Sequence, residues 1–338
     1  MNRALIACSL TVAVALGGGC GKKSNKALPE VAGLAAVPAS AEVVIVADVA
    51  KVADSALVER AVDQFLMKDA DLAARWDKLQ TDCKLDAKKL RHVILAIGPK
   101  AGDAPGTGPV LMVATGQLVE TELAACVRGI VGQGGGTLTA KTAGGRTLYQ
   151  AKDGNRTMYF AFGRPDTVVL GSNEAFVTEA LGPGTKVKDN GEMTGYFARV
   201  DQNAPVWAAG RVDERVRGGL VKVTSGQLKE GPKAMIVSLD PSDGAKLEVG
   251  AIMASDADAK TLESFAKSQL ALMAMAAQAK SLGKVVDKIA ISVDGPVTRF
   301  RASLGTEEVN QLISALDGGG STAQDSPPPA SGSGSAGP

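Results

Sequence analysis

The chain has 338 residues, a formal net charge of +1, 45% hydrophobic and 22% charged residues, and only 4% aromatics. That is the make-up of a globular protein large enough for one big core or two smaller ones. Balanced charge and few aromatics leave neither a basic stripe nor stacking platforms, which excludes nucleic-acid binding and weakens a carbohydrate-binding role.

Residues 1–19 read as a signal peptide. Arg3 gives a positive start, and residues 4–16, ALIACSLTVAVAL, follow as an apolar run. A helix of that length spans about 20 Å, short of the roughly 30 Å hydrocarbon core, so the run is a secretory signal and not a membrane span. Gly17, Gly18 and Gly19 then precede Cys20. A cysteine at this break resembles a bacterial lipoprotein signal. That resemblance implies that Cys20 becomes the first residue and carries acyl chains such as palmitate, making the membrane a partner. Gly21 is not the aspartate associated with inner-membrane retention in enteric lipoproteins, so the resemblance implies outer-membrane delivery within the cell envelope. Residues 20–40, small and Pro-containing, read as lipid anchor and linker. Nothing later approaches 18 uninterrupted apolar residues.

The first half spans 41–182. AEVVIVADVAKV opens it as a strand ending at Asp48. Leu57, Ala61, Phe65, Leu72, Trp76 and Leu79 recur at helical steps, which predicts one helix over 55–79. HVILAIG (92–98) and VLMVATG (110–116) flank a Gly/Pro-rich loop and are expected to pair as a hairpin. Glu120 and Glu122 suit the positive end of a helix that runs through Ile130. A four-strand meander follows, with turns at 144–145 and 154–155, and the helix NEAFVTEAL closes the half.

A connector, 183–203, holds a short helix, EMTGYFARVDQ. The second half, 204–317, restarts the order. APVWAAGRVDERVRGGLVKV echoes AEVVIVADVAKVADSALVERAV, a strand pair turns at DPSDG, and a long helix begins at Asp256. A hairpin with Asp294-Gly295 at its turn and the helix TEEVNQLISAL complete it. The expected fold is therefore α+β, with two similar β-α-β-β-α-β-β-α halves forming a mostly antiparallel mixed sheet with helices packed on it. Residues 318–338 are Gly/Ser/Pro-rich and expected to be disordered.

Chemistry is nearly absent from the pattern. His92 is the only histidine, with no second ligand at helical spacing, so neither a zinc motif nor a local nucleophile relay is supported. It reads as a partly exposed edge residue. GGGCGKKS lacks the first glycine of a phosphate loop, and GQGGGTL lacks the third glycine of a dinucleotide turn. Asp240, Asp243, Asp256 and Asp258 would suit calcium if they converged, but DPSDG is a turn sequence and Asp256 or Asp258 a helix start. LALMAMAAQA (270–279) reads as buried core, with an adaptable binding surface as the alternative. No catalytic residue, metal ligand or cofactor is assigned.

With Cys8 in the signal and Cys20 lipidated, Cys83 and Cys126 remain. An even remainder in an exported protein favours a disulfide, and two buried inert thiols are the alternative. The lipoprotein signal, the Pro-Ala-Ser linker before the first apolar strand and Cys-x-Leu-Asp leading into a strand are similar to exported lipoproteins of soil bacteria. That resemblance implies an envelope location and a Cys83–Cys126 bridge, and no activity. The expected role is a membrane-tethered, non-enzymatic interaction or scaffolding module with an envelope protein as partner. The alternatives are a carrier of an apolar small molecule or lipid, and an enzyme with an unrecognised acid pair.

Overall fold

The computed structural model describes residues 28–67, 70–100, 102, 105–278 and 283–318. The signal, Cys20 and all but the first residue of the C-terminal tail lie outside these. The first half comprises β1 (Val43–Asp48), the single turn α1 (Val49–Val52), α2 (Ala56–Met67), α3 (Ala70–Thr81), β2 (Leu90–Ile97), β3 (Val110–Gly116) and α4 (Glu120–Gln133). The meander β4 (Thr137–Ala143), β5 (Arg146–Asp153), β6 (Arg156–Arg164) and β7 (Thr167–Gly171) leads into α5 (Glu174–Leu181). After α6 (Gly191–Phe197) come β8 (Val206–Arg211), α7 (Glu214–Val223), β9 (Ala234–Asp240), β10 (Ala245–Ile252) and α8 (Asp256–Gln278). The described residues end with α9 (Gly283–Val286), β11 (Ile289–Asp294), β12 (Val297–Leu304) and α10 (Thr306–Gly318). α2 and most of α3 fall in the stretch expected as one helix over 55–79, and residues 68 and 69 between them lie outside the described residues.

All the described strands join one twelve-stranded sheet, β11-β12-β10-β9-β8-β1-β2-β3-β7-β6-β5-β4. Every pairing is antiparallel, so the sheet is not merely mostly antiparallel. Its centre is the β1–β8 pair, with Ile45 opposite Ala208. Outward from it the two halves match in order: β1-β2-β3-β7-β6 on one side, β8-β9-β10-β12-β11 on the other. The first half adds β5 and β4 at its edge. Gly144 and Gly145, with φ of 58° and 76°, make the β4–β5 turn in a region that side chains avoid.

Residues alternate between the two sheet faces. One face carries the main core: Val44, Ile94, Ala96, Leu111, Val169, Trp207 and Ile236 pack under Phe176 and Val177 of α5 and Met193 and Phe197 of α6. On the other face α4 covers Ala114, Phe160, Phe162 and Val168. The start of α8 and one side of α7 cover Met235, Ala251 and Val293 there.

Two stretches expected to be connections belong to the core instead. Val31, Ala36 and Val37, in the expected linker 20–40, are fully buried. Arg146 fixes this strap, donating from Nη2 to the Pro29 carbonyl (2.7 Å), from Nε to Gly163 (3.2 Å) and from Nη1 to Leu181 (3.3 Å). A Cβ on Gly163 would sit 2.5 Å from Val31, so the close approach needs glycine there. In the expected connector 183–203, Val187 and Met193 are likewise fully buried. Small and aliphatic residues, not the prolines, decide the fate of both stretches.

Candidate functional site

Two neighbouring solvent-open clefts lie where β10 and β12 run side by side in the second half. Strand register puts Glu248 opposite Arg301, and Arg299 opposite Gly250. Gly250 has no side chain, so Arg299 can turn towards Glu248, and the two form an ion pair. Arg301 Nε donates to Glu248 Oε2 at 2.6 Å, and its Nη1 reaches Ser292 Oγ at 3.1 Å. Arg299 Nη2 donates to the Arg199 carbonyl at 3.1 Å and lies 3.6 Å from Asp294.

One cleft of about 660 Å³ is lined by Arg199, Asp201, Glu248, Asp294 and Arg299. Its neighbour, about 430 Å³, adds Ser238, Lys246, Lys288 and Ser303. Burial pushes the Glu248 carboxyl up, but hydrogen bonds from Arg301 and Arg299, with their charges, bring it below its ordinary value. An ionised carboxylate held by two guanidinium groups is a weak base. What this surface offers is a fixed pattern of paired charge.

A second polar cluster pins α6 to β8. Glu192 accepts from Arg211 Nη2 at 2.5 Å and from the Tyr196 hydroxyl at 2.6 Å. Burial, then the hydrogen bond to Glu192, pushes Tyr196 up to about 12. An unfolded tyrosine titrates near 10, so the fold favours the neutral phenol. The corresponding stabilisation is present below about pH 10 and is lost as pH rises through about 12. Spectrophotometric titration should therefore show a tyrosine step near 12 that Tyr196→Phe abolishes. If the variant's titration curve keeps that step, the assignment to Tyr196 is wrong.

The residues singled out from sequence are placed as follows. Cys20 lies outside the described residues. Cys83, just after α3, and Cys126 in α4 are at disulfide distance, with Cα atoms 5.5 Å apart. His92 is exposed near the start of β2, opposite Asp48 and Thr115. The four aspartates do not converge. Asp240 and Asp243 flank the turn before β10, and Asp256 and Asp258 follow its far end, eight residues and about 27 Å away. Asp240 accepts from the Ser242 N–H at 3.0 Å and Asp258 from Ser255 Oγ at 2.7 Å, which are turn and helix-start roles. Among the described residues no group of three or more His, Cys, Asp or Glu is placed to hold a metal.

The apolar end of α8 is not core: Leu272, Met273 and Met275 are 61%, 58% and 73% exposed. Sequence reasoning missed the Glu248, Arg299 and Arg301 network. Its signal was the two-residue spacing of the arginines in VTRFRASL, which sends both to one sheet face. No described helix is long and apolar enough to cross a membrane.

No family model and no curated protein matches the sequence. Among solved structures, crystal form I of TP0453 is similar at 13% identity and a TM-score of 0.45, over 85% of this chain and 98% of that one.

Proposed function

We propose that the chain is an envelope lipoprotein, anchored through acyl chains on Cys20, that acts as a non-enzymatic interaction module. The observation that carries the reading is the double cleft of the second half. Glu248, Arg299 and Arg301 are already paired with one another, and Arg301, Lys246 and Ser303 are exposed along it. Such a surface suits the polar rim of a protein interface. Glu248 is pushed the opposite way from the raised carboxyl an acid pair needs. The Cys83–Cys126 pair supports an oxidising compartment.

Two measurements test the proposal. Cys20→Ala should move the protein from the membrane to the soluble fraction, and an unchanged distribution would remove the anchor. A photo-cross-linking residue at Ser303 should yield one discrete adduct with an envelope protein, lost on Glu248→Lys. No adduct, or one indifferent to Glu248→Lys, would overturn the interaction role.

A further inference from the structure

Seven asparagines occur in the chain, and Asn155 alone is followed two positions later by serine or threonine, in Asn155-Arg156-Thr157. Asp153 stands two positions before it, so the run reads Asp-Gly-Asn-Arg-Thr. Asn-x-Thr without proline in the middle is the acceptor pattern for asparagine-linked glycans on exported chains. Three residues say little on their own; the place the fold gives them makes this a site.

They span the tip of the β5–β6 hairpin. Asp153 pairs with Arg156, which leaves Gly154 and Asn155 as the turn. Gly154 takes a positive φ of 57° and Asn155 does not, so the backbone makes no demand for asparagine at 155. Packing makes none either. Asn155 is exposed, and its carboxamide has no hydrogen-bond partner among the described residues. Two other asparagines are employed in the fold. Asn173 accepts from the Phe176 N–H at 3.0 Å to cap α5. Asn190 accepts from the Met193 N–H at 3.2 Å and donates to the Ala39 carbonyl at 2.9 Å. A carboxamide held by nothing at a hairpin tip can carry a large substituent into solvent while the sheet stays as it is.

We infer that Asn155 is a glycosylation site, which takes an oligosaccharide from a lipid-diphosphate donor. In the transfer Asn155 Nδ2 bonds to the anomeric carbon of the first sugar. The bond from that carbon to the diphosphate oxygen breaks, the lipid diphosphate leaves with the electron pair, and one amide proton passes to solvent. In extended chain, residues 153, 155 and 157 fall on one side at a period of two. A carboxylate, the reacting carboxamide and a hydroxyl therefore face a transferase together. The carboxylate offers arginine a charged grip, and the Thr157 hydroxyl offers a hydrogen bond beside the amide. Once the hairpin closes, Thr157 is half-buried in β6, so transfer precedes folding, as the chain enters the envelope. The inference rests on the export proposed above and not on the lipid anchor.

The test is mass spectrometry of the full chain recovered from the envelope fraction of its own host. Cleavage after lysine gives one peptide, 153–186, which should be heavier by whole sugar units, with fragment spectra placing them on Asn155. Asn155→Gln and Thr157→Val should each abolish the increment, and Thr157→Ser should keep it, with the melting temperature of Asn155→Gln unchanged. Exported protein with a bare Asn155, or an increment that survives Asn155→Gln, would overturn the inference. Should Thr157→Val fail to accumulate, Asn155→Gln at its exposed position decides alone. Absence of the chain from the envelope fraction would instead overturn the export reading, and this inference with it.

Discussion

Replacing Cys83 and Cys126 together by serine is expected to lower the free energy of unfolding by about 4 kcal/mol, because the bridge spans a separation of 43 residues and closes that loop in the unfolded chain. The native state offers little to replace it. No described side chain of α3 is buried, and a polar link from α3 to α4, Lys78 Nζ to Gln133 Oε1, is 3.4 Å long and exposed. The double variant should therefore also release α3 locally. Amide exchange over 70–81 should rise well before that of β2 and β3, which are held on both sides in the sheet. Urea unfolding of oxidised protein against the variant measures the first effect, and hydrogen exchange the second. A loss under about 1 kcal/mol with unchanged α3 exchange would mean that packing, not the bridge, docks α3.

Much of this architecture was legible because the sheet is built from local signals. β1 and β8 are each an apolar run closed by an acidic residue and a helix, so the second half could be recognised from APVWAAGRVDERV. The meander was marked by Gly-Gly at 144–145 and by Gly154, each needing a positive φ that few other residues adopt. What stayed hidden depends on distant partners. The strap at 28–40 has a linker's composition, and only Gly163, more than a hundred residues on, makes room for Val31. The end of α8 reads as core because a buried helix and a projecting apolar one share a composition. Deciding between them needs helix length against sheet width: α8 has 23 residues, about 35 Å, while β11 has six, about 20 Å. Arg146 and Lys186 were illegible for another reason. Their partners are backbone carbonyls, which carry no residue identity.

Lys186→Met is expected to cost about 3 kcal/mol, near the upper end for a charged hydrogen-bonding group removed from a buried site. The helix α5 ends in carbonyls with no intrahelical partner. Lys186, 6% exposed, donates from Nζ to those of Glu179 (2.7 Å) and Ala180 (2.9 Å), and a cation there also complements the helix dipole. Met keeps the stem and its packing but leaves those carbonyls buried without the ammonium. A lysine of β4 that pairs with the other end of the same helix supplies the control. Lys141 pairs with Glu174 at 2.7 Å, but both side chains are more than 40% exposed, so Lys141→Met should cost about 0.5 kcal/mol or less.

The pH dependence should separate the two as well. Burial lowers the Lys186 pKa, so the folded state binds its proton less well than the unfolded chain does. Below the folded pKa the buried ammonium costs stability, and that cost fades as pH rises towards the unfolded value of about 10.4. The wild type should regain stability over that window relative to Lys186→Met, which has no proton to lose. Equal losses from the two lysine variants at neutral pH, with parallel stability curves up to that value, would show that water already satisfies the end of α5.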